Sequence, residues 1–205
     1  QKPWVLCASF VSPHYPLVVP QHYFDLYPLS EIEPPRLNSS SELSNHPVLK
    51  AMRDYLNYDD FFDAESRQVA KASYLGLCSF LDSHVGALIE ALHDSGQYDD
   101  TLIIYTSDHG EMAGNHGMWT KCVMYEESAG IPLILSGPGV SKGEVISTQA
   151  SLVDIHPTIL QATGLGLSSN DLDLPGYSLL DLVAGESPDR LVLSEYHDGG
   201  SITGM

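Results

Sequence analysis

The chain has 205 residues, 27 of them acidic and 9 basic, for a formal net charge of −18. A hydrophobic share of 43% is enough for a real core and excludes wholesale disorder. The acidic excess argues against a nucleic-acid groove, and no uninterrupted apolar run approaches the roughly 18 residues that a membrane helix needs. Three cysteines, Cys7, Cys78 and Cys122, form no CxxC pair, so neither a zinc knuckle nor a disulfide scaffold is indicated.

Trp4 to Val11 is a continuous apolar run and reads as a strand buried on both faces. Six prolines and a serine run then mark residues 12–45 as a long loop with little room for regular structure. A short helix is expected over about 46–57. A long one follows over about 64–95, where Leu75, Cys78, Leu81, Val85, Leu88 and Leu92 recur at steps of three and four. Thr101 to Thr106 reads as a second buried strand, followed by a glycine-rich loop to Thr120. Ile131 to Leu135 is a third strand, Leu152 to Thr163 a helix stopped by Gly164, Ser178 to Val183 a short helix, and Leu191 to Ser194 a fourth strand. This alternation is the rhythm of an α/β protein with a sheet sandwiched by helices. In open α/β sheets chemistry gathers beyond the carboxyl ends of the strands, here Ser12–Pro16 and Ser107–Lys121.

Within those two segments a few side chains could carry chemistry. Asp108 and His109 come straight off a strand and offer a metal an anionic oxygen and a neutral nitrogen. On the dipeptide alone, a turn in which Asp108 satisfies loop amides is the stronger reading. His116 and Lys121 return in the same loop. Lysine near acids can bind an anionic group as a point charge, or can simply be exposed. His14, in Ser-Pro-His-Tyr-Pro, has its backbone restricted by prolines on both sides; it could give a proton to a leaving group or pack as a bonded loop histidine. Glu195 to Gly200, with His197, is a polar cluster that could line a pocket or form a solvated turn. His22, His46, His84, His93 and His156 fall in no candidate motif of the sequence and read as structural.

The linked blocks Ser107-Asp-His-Gly-Glu-Met112, Gly114-Asn-His-Gly-Met-Trp-Thr-Lys121, Glu126 to Ile134 and Ser151 to Leu160 resemble the sulfatase family of the alkaline-phosphatase-like superfamily. They are most similar to bacterial choline-sulfatase-like and phosphonate-monoester-hydrolase-like members. Tyr74 to Gly86 resembles the helix that precedes this motif, and Ser12-Pro-His14 fits in order.

The resemblance implies a mixed, largely parallel α/β sheet sandwiched by helices. Residues 1–190 would be the latter part of the catalytic domain and 191–205 the start of a C-terminal portion. It implies hydrolysis of a sulfuric ester. Asp108 and His109 would bind a divalent cation, with calcium preferred and manganese or magnesium as alternatives. Lys121 would contact the anionic oxygens, His14 would assist the leaving oxygen, and His116 and His197 would line the substrate or support the site. Many sulfatases carry Asn where this chain has His109, which leaves metal and sulfate-versus-phosphonate preference open. The family's nucleophile is a formylglycine made in a Cys/Ser-x-Pro-x-Arg motif, and no such motif occurs here. The chain therefore reads as an internal stretch of a longer enzyme, with the nucleophile upstream of Gln1 and the stretch alone inactive. Two alternatives stand beside the sulfatase reading: a phosphonate or phosphate ester hydrolase of the same superfamily, and a non-catalytic homologue that binds a metal or an anion. The implied partner is a small anionic ester, with no nucleic acid and no membrane; a homo-oligomer and a bacterial cytoplasmic or periplasmic location complete the expectation.

Overall fold

The computed structural model describes residues 3–37, 39, 41–56, 60–166, 168–169, 173–186 and 189–195. They fall into two compact units. The first takes the described residues of 1–8, 95–108 and 132–194; the second takes those of 9–94, 109–131 and Glu195.

In the first unit, β1 (Ile103–Thr106) pairs antiparallel with β2 (Leu133–Ser136), Ile103 opposite Ser136 and Thr106 opposite Leu133. β-branched and aromatic side chains favour this pleated surface. β2 ends on Gly137, whose φ is +133°; a Cβ there would lie 2.3 Å from the Thr101 carbonyl oxygen, so only glycine lets the chain turn. Beyond it, α5 (Ile155–Ala162) and α6 (Leu179–Val183) pack together around Asp154 and Thr158, both fully buried. The Thr158 hydroxyl donates to the Asp154 carbonyl at 2.6 Å and accepts from the Leu179 N–H at 2.8 Å, tying the two helices. The Asp154 carboxylate accepts the N–H groups of Ser151 at 2.8 Å and Tyr177 at 2.9 Å, and Arg190 Nη1 bridges both its oxygens at 2.9 Å.

In the second unit, α3 (Ala64–Asp94) is the long spine. Asp63 caps it, accepting the Ser66 N–H at 2.8 Å, and that bond holds the Asp63 carboxyl below the usual carboxylate range. α1 (Gln21–Phe24) and the following turn lie on α3: Tyr23 and Tyr27 hydroxyls bond Ser83 and Ser79 at 2.8 and 2.7 Å. Gly76 makes room for this approach, because a Cβ there would lie 3.1 Å from the Tyr23 carbonyl oxygen. By length and composition α3 could also cross a bilayer. Its serine–tyrosine bonds and the exposed Asp82 give it polar neighbours over residues 79–83. α2 (Pro47–Leu56) supplies Met52 to a core with Met112, Met118 and Val123, and α4 (Glu126–Ala129) closes the loop that carries them.

The sheet expected from the sequence differs from the one observed. Among the described residues it has two strands, and they are antiparallel rather than parallel. Trp4–Val11 is irregular chain with Val5, Leu6 and Val11 at least 60% exposed, and Leu191–Ser194 likewise forms no ladder. Apolar sequence makes a segment eager for burial, but a strand also needs a partner to take its N–H and C=O groups. Residues 12–45 hold more structure than their prolines suggest: α1 and a 3-10 turn at Leu29–Glu31. On α3, the small face of Ala70, Ser73 and Gly76 is buried, while Leu88 of the expected stripe is exposed.

Candidate active site

The site grows from the loop between His109 and Ser128 in the second unit. Gly110 follows His109 because the chain there abuts its own return: a Cβ would sit 2.1 Å from the Glu127 carbonyl oxygen, and Gly110 N–H donates to the Ser128 carbonyl at 2.8 Å. Glu111 then turns its carboxylate back on the loop. One oxygen accepts the N–H of Ala113 at 3.0 Å and of Thr120 at 2.6 Å, and Met112 N–H reaches the Thr120 carbonyl at 2.8 Å. Bonds from charged acceptors are the strong ones, so Glu111 fixes the residue just before Lys121.

The loop is strained where it presents its side chains. Thr120 has φ +68° and Cys122 φ +87°, flanking Lys121, and Ala113 and His116 are also left-handed, at +48° and +56°. For a β-branched residue such as Thr120 this is a genuine outlier, costing about 1–3 kcal/mol. The methionine core under the loop and the Glu111 bonds hold it in place.

Lys121 and His14 meet. The ammonium Nζ donates to His14 Nε2 at 2.7 Å, although 107 residues separate them. His14 Nδ1–H donates to the Tyr15 carbonyl at 2.8 Å, which fixes the tautomer and leaves Nε2 as the basic nitrogen. The Tyr15 ring lies 5.7 Å from Lys121 Nζ, adding a π-face to the cation's surroundings. No carboxylate forms an ion pair with Lys121 among the described residues. His109 stands nearby, its ring centroid 5.9 Å from that of His14. Its Nδ1–H donates to the Gly110 carbonyl at 2.8 Å, so its Nε2 is likewise the basic atom.

Asp108, the residue before His109, ends the first unit's strand segment. A carboxylate and an imidazole with its Nδ1 proton committed fit a divalent cation in kind. They do not suffice in number, since no group of three or more metal-ligating side chains occurs among the described residues.

His116, expected to line the substrate or to support the site, packs within the loop. Its ring stacks on Tyr125 at 3.8 Å, with Glu127 3.7 Å from Nε2, and Glu127 also accepts from Asn115 at 3.2 Å. It braces the loop. His197 lies outside the described residues. Of the residues read as structural, His84 packs on Phe80 and Phe10. Tyr15 and Glu111 gained no role from sequence alone. Their signal was adjacency: each sits within two residues of a candidate already singled out, and neither spacing nor composition says which way it faces.

Comparison with known proteins places this geometry. The Sulfatase family model matches residues 1–165. Choline-sulfatase of Rhizobium meliloti (strain 1021) is 34% identical over 199 residues, covering 96% of this chain and 38% of that protein. Phosphonate monoester hydrolase SpPMH from Silicibacter pomeroyi superposes with a TM-score of 0.78 at 34% identity, over 93% of this chain and 40% of that one. Phosphonate monoester hydrolase of Agrobacterium radiobacter superposes with a TM-score of 0.82 at 29% identity, over 98% and 43%. The chain thus spans less than half the length of these relatives. Its helices and β1–β2 ladder are part of an α/β fold of the alkaline-phosphatase-like kind, and the chain belongs to the sulfatase family.

Proposed function

We propose that the protein carrying this chain hydrolyses sulfate esters at a site to which these residues contribute a fixed cation and a proton carrier. The observation that carries this is the Lys121–His14 pair, an ammonium bonded to a neutral imidazole instead of a carboxylate. Lys121 places a positive charge where the ester's anionic oxygens can displace His14 as its partner. That exchange frees His14 Nε2 to take up a proton from solvent, and as the sulfur–oxygen bond breaks the imidazolium Nε2–H gives that proton to the leaving oxygen and returns to neutral imidazole. The Tyr15 carbonyl keeps the ring oriented throughout.

Asp108 and His109 are the residues that would hold a divalent cation, calcium by preference, with further ligands from outside the chain. When bound, such an ion offsets the negative charge of the transferred group. The nucleophile, a formylglycine on this reading, also comes from outside these residues. The whole domain would be a mixed, largely parallel sheet between helices, with 1–190 the latter part of the catalytic domain and 191–205 the start of a C-terminal portion. The exposed apolar side chains of Val5, Leu6 and Val11 support a larger sheet than the one described.

The likeness to phosphonate monoester hydrolases favours a second reading, in which the transferred group is a phosphonate. Rates of the intact protein on 4-nitrophenyl sulfate and 4-nitrophenyl phenylphosphonate decide between them. A higher kcat/KM on the sulfate upholds the first reading, a higher one on the phosphonate installs the second, and turnover of neither ends both.

A further inference from the structure

Lys121 sits between two residues whose backbone is left-handed, Thr120 at φ +68° and Cys122 at +87°. A β-branched residue rarely adopts such a φ, so the direction of Lys121 depends on whatever holds Thr120 there. Two bonds do so. The Thr120 carbonyl accepts the Met112 N–H at 2.8 Å, and the Thr120 N–H donates to Glu111 Oε1 at 2.6 Å. The same oxygen accepts the Ala113 N–H at 3.0 Å. Glu111 is in turn fixed by its neighbours. Gly110 N–H is bonded to the Ser128 carbonyl at 2.8 Å, and the Met112 side chain is fully buried. No lysine, arginine or histidine forms an ion pair with Glu111 among the described residues. Its charge is directed at backbone N–H groups instead.

An ionised acceptor bonds an N–H about twice as strongly as a neutral one. A carboxylate at this point therefore favours the strained loop more than an amide of the same shape would. It does so one residue from Lys121 without pairing to the ammonium, which bonds His14 Nε2 at 2.7 Å. We propose that Glu111 is a positioning residue for the ester hydrolysis: it holds Thr120 left-handed, keeps Lys121 Nζ against His14, and affects turnover through Lys121. The proposal rests on the hydrolase reading above. A misplacement of about 1 Å can cost about a hundredfold in rate, so a clamp this close to Lys121 is read in turnover.

The test has one arm that needs no turnover. The His14 imidazole is read by nitrogen NMR of the intact protein carrying isotope-labelled histidine, its signal identified by its loss in His14→Ala. Lys121→Ala removes the donor to Nε2 and shifts that signal. Glu111→Gln should shift it in the same direction, and Thr120→Gly added to Glu111→Gln should bring it back, because glycine is left-handed without penalty. The other arm is kcat/KM on 4-nitrophenyl sulfate or 4-nitrophenyl phenylphosphonate, whichever is turned over faster. Glu111→Gln should lower it about five- to fiftyfold when Lys121 is present and by less than about twofold in the Lys121→Ala background, as for two residues acting in series. An unmoved His14 signal overturns the proposal, and so does a shift that glycine at position 120 leaves in place. A loss of equal size in both backgrounds overturns it too, since Glu111 would then act by a route other than Lys121. A protein inactive on every ester would end the hydrolase reading, and the His14 signal would still decide whether Glu111 places Lys121.

Discussion

Two charged side chains, Asp154 and Lys121, are both held by hydrogen bonds, and the difference in what holds them separates scaffold from site. Asp154 is fully buried, and both its oxygens are consumed by Arg190 and by two backbone N–H groups. Its charge is neutralised within the fold, so it has nothing to offer a ligand. Lys121 is also tethered, but to a neutral imidazole and a tyrosine ring. Its positive charge stays available, in a chain whose net charge is −18. For a strongly acidic protein to attract an anion, some cation must be kept from its own carboxylates. The strained φ values at Thr120 and Cys122 and the Glu111 clamp are how the loop does this.

The comparison can be broken at either end. The largest effect expected is on stability. Asp154→Ala leaves Arg190 without its carboxylate and two N–H groups without an acceptor, and should cost about 3–5 kcal/mol in urea unfolding of the intact protein. A loss below about 1 kcal/mol would show that the hub is not what holds α5 to α6. Next comes Lys121→Ala, which should lower kcat by about a hundred- to a thousandfold while unfolding is little changed, because one charge-stabilising donor is gone. Should kcat hold, Lys121 has no part in turnover. A smaller effect is expected from Ser178→Ala, which removes the acceptor for the Leu180 N–H at the start of α6 and should cost about 1 kcal/mol, seen as a shifted urea midpoint.

The smallest effect concerns Cys78, whose thiol burial pushes above the ordinary range. An acid that is harder to ionise when folded favours the folded state until the unfolded thiol begins to ionise, near pH 8.5. Stability should therefore fall as pH rises past that point, and the fall should flatten in Cys78→Ala. Iodoacetamide should label the exposed Cys7 well before Cys78. Matched labelling rates would contradict the burial.

Much of the scaffold is legible in the sequence because its signals are local. The long helix expected over 64–95 is Ala64–Asp94, and the strands flanking the glycine-rich loop are Ile103–Thr106 and Leu133–Ser136. Gly164 ends its helix as expected, since a positive φ is written in the residue type, and Gly137 does the same for β2. What the sequence could not show depends on partners. Trp4–Val11 has strand composition and no ladder, because pairing is a property of two segments and composition belongs to one. The most deeply buried face of α3 is set by Tyr23 and Val19, residues 53 to 57 positions away from Gly76, so it does not coincide with the more hydrophobic stripe, which is half-buried except at Leu88. In the site, His14 and Lys121 could be named from their neighbours, but only the fold brings them to 2.7 Å, and only the fold shows Glu111 and Tyr15 holding them there.

The central claim is that His14 Nε2 delivers the proton to the leaving oxygen while Lys121 holds the anion. The most direct measurement is a series of aryl sulfates of rising phenol pKa, run on the intact wild-type protein and on His14→Ala. A proton donor matters most when the leaving group is poor. The deficit of the variant should thus be small for 4-nitrophenyl sulfate and grow steadily towards phenyl sulfate. A deficit constant across the series, or none at all, would contradict the account.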